Sequence, residues 1–186
     1  MTEHDDARIP LISTRDQLPE DARHHYDHIM ETRGYVGGPF GPLLNSPELG
    51  GHVARLGTYI RYESVLPGAD RELAIITTGR EFDCAYEWAA HEPIAREEGV
   101  SDETIDAVAT RAPLDDFPAD DAQIVRYVRQ LLRDHEIDDE TFEAAYERFG
   151  RQGITDLTAT IGFYSLIACT LNAFEVMPAT DAPSLP

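Results

Sequence analysis

The segment Arg71–Val108, RELAIITTGREFDCAYEWAAHEPIAREEGVSDETIDAV, decides the fold of this chain. Its apolar residues recur with helical spacing in two stretches, from Ala69 to about Glu81 and from Cys84 to about Glu98. Gly99 follows the second stretch, where glycine commonly ends a helix. The pattern predicts a helical hairpin, which would bring one face of each helix against the other.

The second helix carries three reactive side chains on one side. At about 100° per residue, Cys84 and His91 lie within roughly 20° of each other and Glu87 lies about 60° away. Trp88 and Ile94 share this side, so the three polar groups line a face that would otherwise be the buried stripe. An unpaired buried carboxylate is very costly, so these groups need partners.

The first helix repeats this pattern. Glu72 lies centrally on an apolar face, within roughly 80° of Ile75, Ile76 and Gly79. We predict that Glu72 faces the Cys84 side of the next helix and that Gly79 lets the two backbones approach closely.

The ionisation of Cys84 stays open from the sequence. Asp83 is a predicted N-cap, which places Cys84 in the first helical turn. A helix N-terminus and a nearby imidazolium stabilise a thiolate, whereas an ionised Glu87 raises the pKa of the thiol. The other cysteine, Cys169, lies in an apolar run and is predicted to be buried in the core.

Outside this hairpin the chain also shows helical patterns and no sustained two-residue alternation, so we predict an all-α, single-domain protein. We expect a loosely ordered N-terminal tail over residues 1–18, a helical domain over 19–178 and a C-terminal tail over 179–186. The further helices are predicted at Pro19–Arg33, at Glu48–Ser64, from Ser101, from Pro118, from Asp138 or Asp139 to Gly150, and from about Gly153 to Phe174. The last of these is apolar nearly all round, which favours burial partly between subunits.

The charge of the chain excludes some partners. Its 35 acidic residues outnumber its 15 basic residues, all of them arginine, and the formal net charge is −20. Such a surface repels nucleic acid and anionic membranes, so we expect neither as a partner. Adaptation to concentrated salt and the ordinary acidic bias of a GC-rich genome both explain this composition.

The location of the protein is predicted from two apolar patterns. The N-terminal residues contain no apolar export signal, so we expect a cytoplasmic protein. The run Ile154–Val176 is interrupted by Asp156, Asn172 and Glu175. A core helix explains it better than a membrane span.

The spacing of Glu72, Cys84, Glu87 and His91 within the quoted segment resembles the carboxymuconolactone decarboxylase family, which includes the alkylhydroperoxidase D-like proteins. The resemblance is good from about Leu56 to Val108. It continues more loosely in GPFGPLLNSPEL upstream and GFYSLIACTLNAF downstream. It implies an alkylhydroperoxidase D-like helical bundle, a cytoplasmic location and a homo-oligomer, a trimer or hexamer.

The family's peroxidase branch has a glutamate, a CxxC motif beginning twelve positions later, and a histidine four positions after the second cysteine. By this resemblance Glu72, Cys84 and His91 match the glutamate, the first cysteine and the histidine, and Glu87 occupies the position of the second cysteine. Glu87 cannot form the disulfide with which that branch resolves its oxidised thiol. The sequence YEWxxH is similar to a large subgroup without a settled activity, and the chain lacks the His-rich active-site sequence of the decarboxylase branch.

The first functional hypothesis is an enzyme without a cofactor that uses Glu72, Cys84, Glu87 and His91 as an acid–base and thiol relay. Its small-molecule substrate is a peroxide, with an external thiol resolving Cys84, or a small lactone or carboxylate. Because the surface is acidic, an anionic substrate would need a local arginine, and Arg55 or Arg71 is the candidate.

Two alternatives come from other classes. Cys84, Glu87 and His91 are legitimate ligands for zinc or a related metal ion, with Glu72 as a fourth ligand. The chain would then be a metal-binding enzyme. The last hypothesis is a non-catalytic oligomeric binding module. In it, the polar side chains of the cluster only form hydrogen bonds and ion pairs with one another in the core.

Overall fold

The computed structural model describes residues 7–180 and 182–186. Within these residues the secondary structure is helical and contains no strand, which confirms the predicted all-α class. Short 3₁₀ turns occur at Arg15–Gln17, Glu20–Ala22 and Leu114–Asp116, and π-helical turns at Tyr59–Glu63 and Gln130–Asp134. The α-helices are α1 (Arg23–Arg33), α2 (Phe40–Leu43), α3 (Pro47–Thr58), α4 (Gly68–Glu81), α5 (Ala85–Glu98), α6 (Asp102–Ala109), α7 (Ala119–Arg129) and α8 (Asp139–Ala173).

Helix α4 is the centre of the fold, because it packs against α5, α7 and α8. Its residues Leu73–Ile76 are almost wholly buried, at no more than 1% exposure each. Leu73 and Ile76 belong to one apolar core with α5, α6, α7 and the middle of α8. Ile75 belongs to a second core, formed with α1, α2, α3 and the end of α8. A helix enclosed on both sides in this way holds its polar side chains away from water.

Side-chain caps explain where two helices begin. Ser101 Oγ accepts a hydrogen bond from the backbone N–H of Thr104 at 3.1 Å, at the start of α6. Asp138 Oδ1 accepts one from the N–H of Thr141 at 2.7 Å, at the start of α8. Both caps satisfy otherwise unpaired N–H groups, and both helix starts were predicted from the sequence.

Helix α8 bends at Gly150, whose φ of 66° and ψ of −176° are not helical. The sequence predicted one helix ending at Gly150 and another beginning near Gly153, and the structure agrees, because the non-helical backbone at Gly150 divides α8 into two helical parts. Among the described residues α8 alone is long and apolar enough to cross a bilayer, by length and composition only. In its most apolar window 56% of the residues are buried within the chain, as expected of a core helix.

The N-terminal segment differs from its prediction as a loose tail. Residues 1–6 lie outside the described residues, but Ile12 and Leu18 are buried in the second core. The N–H of Ile12 donates to the carbonyl of Gly41 at 3.0 Å, and Tyr26 Oη donates to the carbonyl of Ser13 at 3.2 Å. These apolar and hydrogen-bonding contacts make residues 8–18 part of the folded domain.

The Gly- and Pro-rich loop between α1 and α3 is also packed. It contains α2, and its side chains Phe40, Leu43 and Leu44 are buried. The loop is therefore packed into the second core, together with Ile75 and Cys84, instead of acting as a linker.

Candidate active site

The α4–α5 hairpin brings three of the four predicted site residues into one buried cluster. His91 Nδ1 lies 2.7 Å from Glu72 Oε2, and His91 Nε2 lies 3.6 Å from Glu87 Oε2. A Cβ atom on Gly79 would lie only 3.3 Å from Cβ of Glu87, so this glycine permits the close approach that the sequence predicted. One imidazole is thus flanked by two carboxylates that belong to different helices.

The turn between the two helices places Cys84 differently from the prediction. Asp83 adopts a left-handed φ of 49°, which a short polar side chain tolerates. The N–H of Cys84 donates to the carbonyl of Gly79 at 2.9 Å, and the N–H of Asp83 donates to that of Arg80 at 3.1 Å. This Schellman pair ends α4, and Cys84 rather than Asp83 is the N-cap of α5.

Cys84 is fully buried in the second core. Burial is the main cause that raises the pKa of its thiol, to about 11, and the charge of Glu87 adds to this. The backbone N–H groups of Glu87 and Tyr86 oppose the change but do not outweigh it. Cys169, which was predicted to be buried, is instead exposed, because it lies on the outward side of α8.

The two carboxylates beside His91 have pKa values displaced in opposite directions. Burial opposes ionisation of Glu72, but the hydrogen bond with His91 and the charges of His91 and Arg71 outweigh it and lower its pKa. Burial raises the pKa of Glu87, against the weaker effect of the His91 and Arg61 charges. Carboxylates separated in this way can take different roles, one ionised and one holding a proton.

The groups around the cluster fix its orientation. Arg71 Nε lies 3.4 Å from Glu72 Oε1 and helps to hold that carboxylate. The ring of Tyr164, from α8, meets the His91 ring edge-on with centroids 5.0 Å apart. Burial raises the pKa of Tyr164 well above its usual value, so this phenol keeps its proton.

A cavity of about 250 Å³ opens onto this cluster. His91 and Glu87 are part of its wall, whereas Glu72 and Cys84 are not. Glu72 therefore contacts His91 from outside the cavity wall. Aromatic and aliphatic side chains from the Gly- and Pro-rich loop, α5 and α8 form most of the remaining wall: Tyr35, Pro39, Phe40, Tyr86, Ile94, Phe163, Tyr164 and Ile167.

Two arginines in the cavity wall were missed by the sequence analysis. Arg33, at the end of α1, has its Nε and Nη2 atoms buried without a hydrogen-bond partner, and its guanidinium lies 4.6 Å from the ring centroid of Phe40. Within the described residues neither Arg33 nor Arg61 forms an ion pair with a carboxylate. Burial, followed by the charge of Arg61, lowers the pKa of Arg33.

The arginines that the sequence suggested have other positions. Arg71 is paired with Glu72 and Glu98, and Arg55 is exposed on α3. Neither is part of the cavity wall. Arg33 ends α1 and Arg61 lies in the π-helical turn after α3, and tertiary packing that no local pattern encodes brings both into the cavity wall.

The alternative metal site at Cys84, Glu87 and His91 is not supported by the geometry. In the part of the chain that the structure describes, these residues do not bring one ligand atom each within 4.8 Å of the others. Glu72 instead uses one carboxylate oxygen as the partner of His91, at 2.7 Å.

The comparisons with known proteins concern the family and the fold of the chain. Residues 47–130 match the sequence model of the carboxymuconolactone decarboxylase family. This segment belongs to that family. It contains all four residues of the motif, so the resemblance drawn from the sequence is confirmed at family level. No curated protein sequence matches the chain.

Solved structures with the same fold include two from bacteria. One is described as the alkylhydroperoxidase AhpD core, an uncharacterized peroxidase-related protein from Ralstonia eutropha JMP134. It superposes with a TM-score of 0.75 at 22% identity, covering 96% of this chain and 95% of its own. The other is an uncharacterized peroxidase-related protein from Silicibacter sp. TM1040, with a TM-score of 0.73 at 18% identity, covering 97% and 96%. At these identities the likeness shows the fold, which is alkylhydroperoxidase D-like over nearly the whole chain.

Proposed function

We propose that this carboxymuconolactone decarboxylase family protein is an acid–base enzyme that converts a small lactone or carboxylate. The observation that carries the proposal is that two guanidinium nitrogens of Arg33, Nε and Nη2, are buried without a hydrogen-bond partner in the same cavity wall as His91 and Glu87. An unpaired buried charge is costly, and the planar fork of donors on arginine suits a carboxylate. An anionic substrate would supply the missing partner.

Each member of the cluster has a role in this proposal. Glu72 accepts the hydrogen bond from Nδ1–H of His91 and leaves Nε2, on the side of Glu87, as the basic atom. Both His91 and Glu87 line the cavity. Nε2 takes a proton from the substrate beside its carbonyl or carboxylate group, and ionised Glu72 stabilises the imidazolium that forms. Glu87, whose pKa is raised by burial, holds a proton that it can return to the substrate. Glu72 is therefore a positioning residue, and His91 and Glu87 are the catalytic pair.

The test is a turnover screen with a mixture of small lactones and carboxylic acids, followed by mass spectrometry. The expected result is the loss of at least one anionic compound with wild-type protein. Turnover should fall roughly 10²- to 10⁴-fold in His91→Gln, the usual contribution of general acid–base catalysis. It should persist in Cys84→Ala, because the thiol is not in the cavity wall.

Two arginine variants separate substrate binding from a general charge effect. Arg33→Gln should raise KM by roughly tenfold or more, as expected when a hydrogen bond to a charged group is lost. Arg55→Gln removes the same charge from the exposed surface of α3 and should leave KM unchanged. Full turnover by His91→Gln, or equal KM values in the two arginine variants, would contradict the proposal.

A second candidate is a single-cysteine peroxidase, favoured by the match of Cys84 to the family's reactive cysteine. The proposal for Cys84 is that peroxide oxidises it to a sulfenic acid, which an external thiol reduces. Its burial and its pKa of about 11 oppose this chemistry, because the thiolate is the reactive form. Sulfenic acid trapped at Cys84 after peroxide treatment, with wild-type turnover of peroxide, would favour this candidate over the acid–base enzyme.

A further inference from the structure

A second cluster of metal-binding side chains lies away from the cavity, where α1 meets the start of α3. His24, His25 and Glu48 each bring one ligand atom within 4.8 Å of the other two, and they are the group in the described chain that does so. The two imidazole rings lie side by side with centroids 3.8 Å apart. His25 Nε2 is 3.1 Å from Glu48 Oε1.

His25 is the unusual member of this group. It is fully buried, and neither of its ring nitrogens has a hydrogen-bond partner. Buried polar atoms are nearly always hydrogen-bonded, so an imidazole in this condition can take a further partner. Nε2 of His25 meets Glu48 Oε1 at ion-pair distance but not in the geometry of a hydrogen bond, and the two atoms are close enough to be two ligands of one metal ion.

Gly51 holds the His25 ring in this position. A Cβ atom on Gly51 would lie 2.0 Å from His25 Nδ1, so the ring occupies the space that any other side chain on α3 would fill. With Nδ1 against the helix backbone, Nε2 is the atom directed at Glu48. The absence of a side chain at residue 51 therefore positions a buried nitrogen beside an exposed carboxylate.

The other two residues, His24 and Glu48, also have a ligand atom available to bind a metal ion. His24 Nδ1 lies 2.8 Å from the carbonyl of Asp21, so its N–H donates there and the lone pair is on Nε2. This arrangement, with one ring nitrogen bound to a backbone carbonyl, is typical of histidines that bind metal through the other. Glu48 lies in the first turn of α3, where the helix dipole favours the ionised carboxylate.

We propose that His24, His25 and Glu48 bind one zinc ion. Two imidazoles and a carboxylate are a familiar zinc ligand set, and the exposure of His24 and Glu48 leaves the fourth position open to water. The ion gives the buried nitrogen of His25 its partner and links α1 to α3. This site is independent of the cavity and of the function proposed for it.

The test uses the full chain without an affinity tag, treated with chelator and titrated with zinc chloride by calorimetry at neutral pH. Wild type should bind one zinc per chain. His24→Ala and Glu48→Gln change exposed residues and should weaken binding about tenfold or more. His135→Asn, which removes an exposed histidine elsewhere and keeps a residue that tolerates a left-handed φ, should bind like wild type.

Thermal unfolding supplies a second measurement that does not depend on activity. Zinc should raise the unfolding midpoint of wild type and of His135→Asn, and should not raise that of His24→Ala. The proposal is overturned if no zinc binds stoichiometrically, or if His24→Ala and Glu48→Gln bind it as well as wild type. It is also overturned if zinc is lost in His91→Ala and kept in His24→Ala, since the metal would then belong to the α4–α5 cluster.

Discussion

At the scale of single residues, the two carboxylates beside His91 should give opposite pH dependences of stability. Burial raises the pKa of Glu87, so the folded chain holds a proton that the unfolded chain releases above about pH 4.3. The unfolded state then binds fewer protons, and stability falls as pH rises through the raised pKa. Glu87→Gln has no such proton and should gain roughly 1–3 kcal/mol over wild type at neutral pH. Urea unfolding at about pH 5 and about pH 8 should show the gain growing with pH.

Glu72→Gln is the matched variant for this experiment. The pKa of Glu72 is lowered despite its burial, so its ionised form stabilises the fold above the unfolded pKa, and this contribution is lost as pH falls through the folded pKa. Glu72→Gln should therefore lose roughly 1.5–3 kcal/mol at neutral pH, the value of a hydrogen bond to a charged group. The difference in unfolding free energy between wild type and Glu72→Gln should be constant between about pH 5 and about pH 8 and should become smaller below about pH 4. Parallel profiles for the two variants would contradict the assignment of one ionised and one protonated carboxyl.

The reactivity of the two cysteines should follow their burial. With a pKa of about 11, roughly one Cys84 thiol in a thousand is ionised at about pH 8, and none of its surface is exposed. Cys169 is exposed. Brief iodoacetamide treatment of the native protein should label Cys169 and leave Cys84 unlabelled by mass spectrometry, and both should react in urea. Labelling of Cys84 first would mean that the cavity opens to the thiol.

Much of the cluster could be predicted from the sequence because its residues belong to two adjacent helices. Helical periodicity alone placed Glu72, Glu87 and His91 on facing sides, and the structure joins them through His91. Arg33 and Arg61 could not be predicted, since they reach the cavity only through the packing of α1 and the turn after α3. The direction in which the pKa of Cys84 changes could not be predicted for the same reason, because desolvation of the thiol depends on which elements cover it.

At the scale of secondary-structure elements, α8 offers the same substitution at two glycines with opposite expected effects. Gly150 has φ 66° and ψ −176°, a backbone conformation that is essentially restricted to glycine, so Gly150→Ala should cost roughly 1–3 kcal/mol. Gly162 lies within the helix, and a Cβ atom added there would meet no neighbouring side chain within 4 Å, so Gly162→Ala should gain up to about 1 kcal/mol. Urea unfolding of the two variants checks both signs. Equal effects would mean that the kink is not a fixed feature of α8.

Element boundaries show where local pattern was sufficient. The glycine after α5 predicted where that helix ends, and the capping residues before α6 and α8 predicted where those helices begin. These signals are reliable because they act within one helical turn. The start of α5 was wrong by one residue, since the Schellman turn that ends α4 takes Asp83 into a left-handed conformation and shifts the cap to Cys84. Asp83 is also held there by ion pairs with Arg80 and Arg111, and Arg111 is distant in sequence.

At the scale of the whole molecule, the predicted homo-oligomer remains a prediction with a structural basis. Most of the apolar side chains of α8 are buried within one chain, but Leu166 remains 41% exposed. Phe142 and Tyr146, near the start of α8, are also exposed, and their rings stack at 6.0 Å. We expect light scattering at micromolar concentration in molar salt to give a mass above that of the monomer. A monomer mass would mean that these apolar groups are simply exposed.

The surface charge should make stability depend on salt. With 35 acidic and 15 basic residues, like charges repel across the whole chain in dilute buffer, where the screening length is about 30 Å. At about 1 M salt that length is about 3 Å, so repulsion acts only between neighbours. Ion pairs such as Arg15–Asp27 and Arg8–Glu175 are weakened by the same screening, but exposed pairs contribute little to stability. Salt should therefore stabilise the fold, because the repulsion between acidic groups that it removes is larger than the attraction within ion pairs that it removes.

The expected result is an unfolding midpoint that rises as KCl increases from about 0.05 to about 3 M at neutral pH. Chloride is the chosen anion because sulfate and phosphate strengthen apolar burial by exclusion from the surface, which would mimic the effect. A series at low pH provides the control. Once the carboxylates are protonated the net charge is no longer negative, so repulsion between carboxylates can no longer make the unfolding midpoint rise with salt. If the midpoint is flat or falls across the neutral series, repulsion between carboxylates does not limit the stability of this chain, and its acidic surface is not an adaptation to concentrated salt.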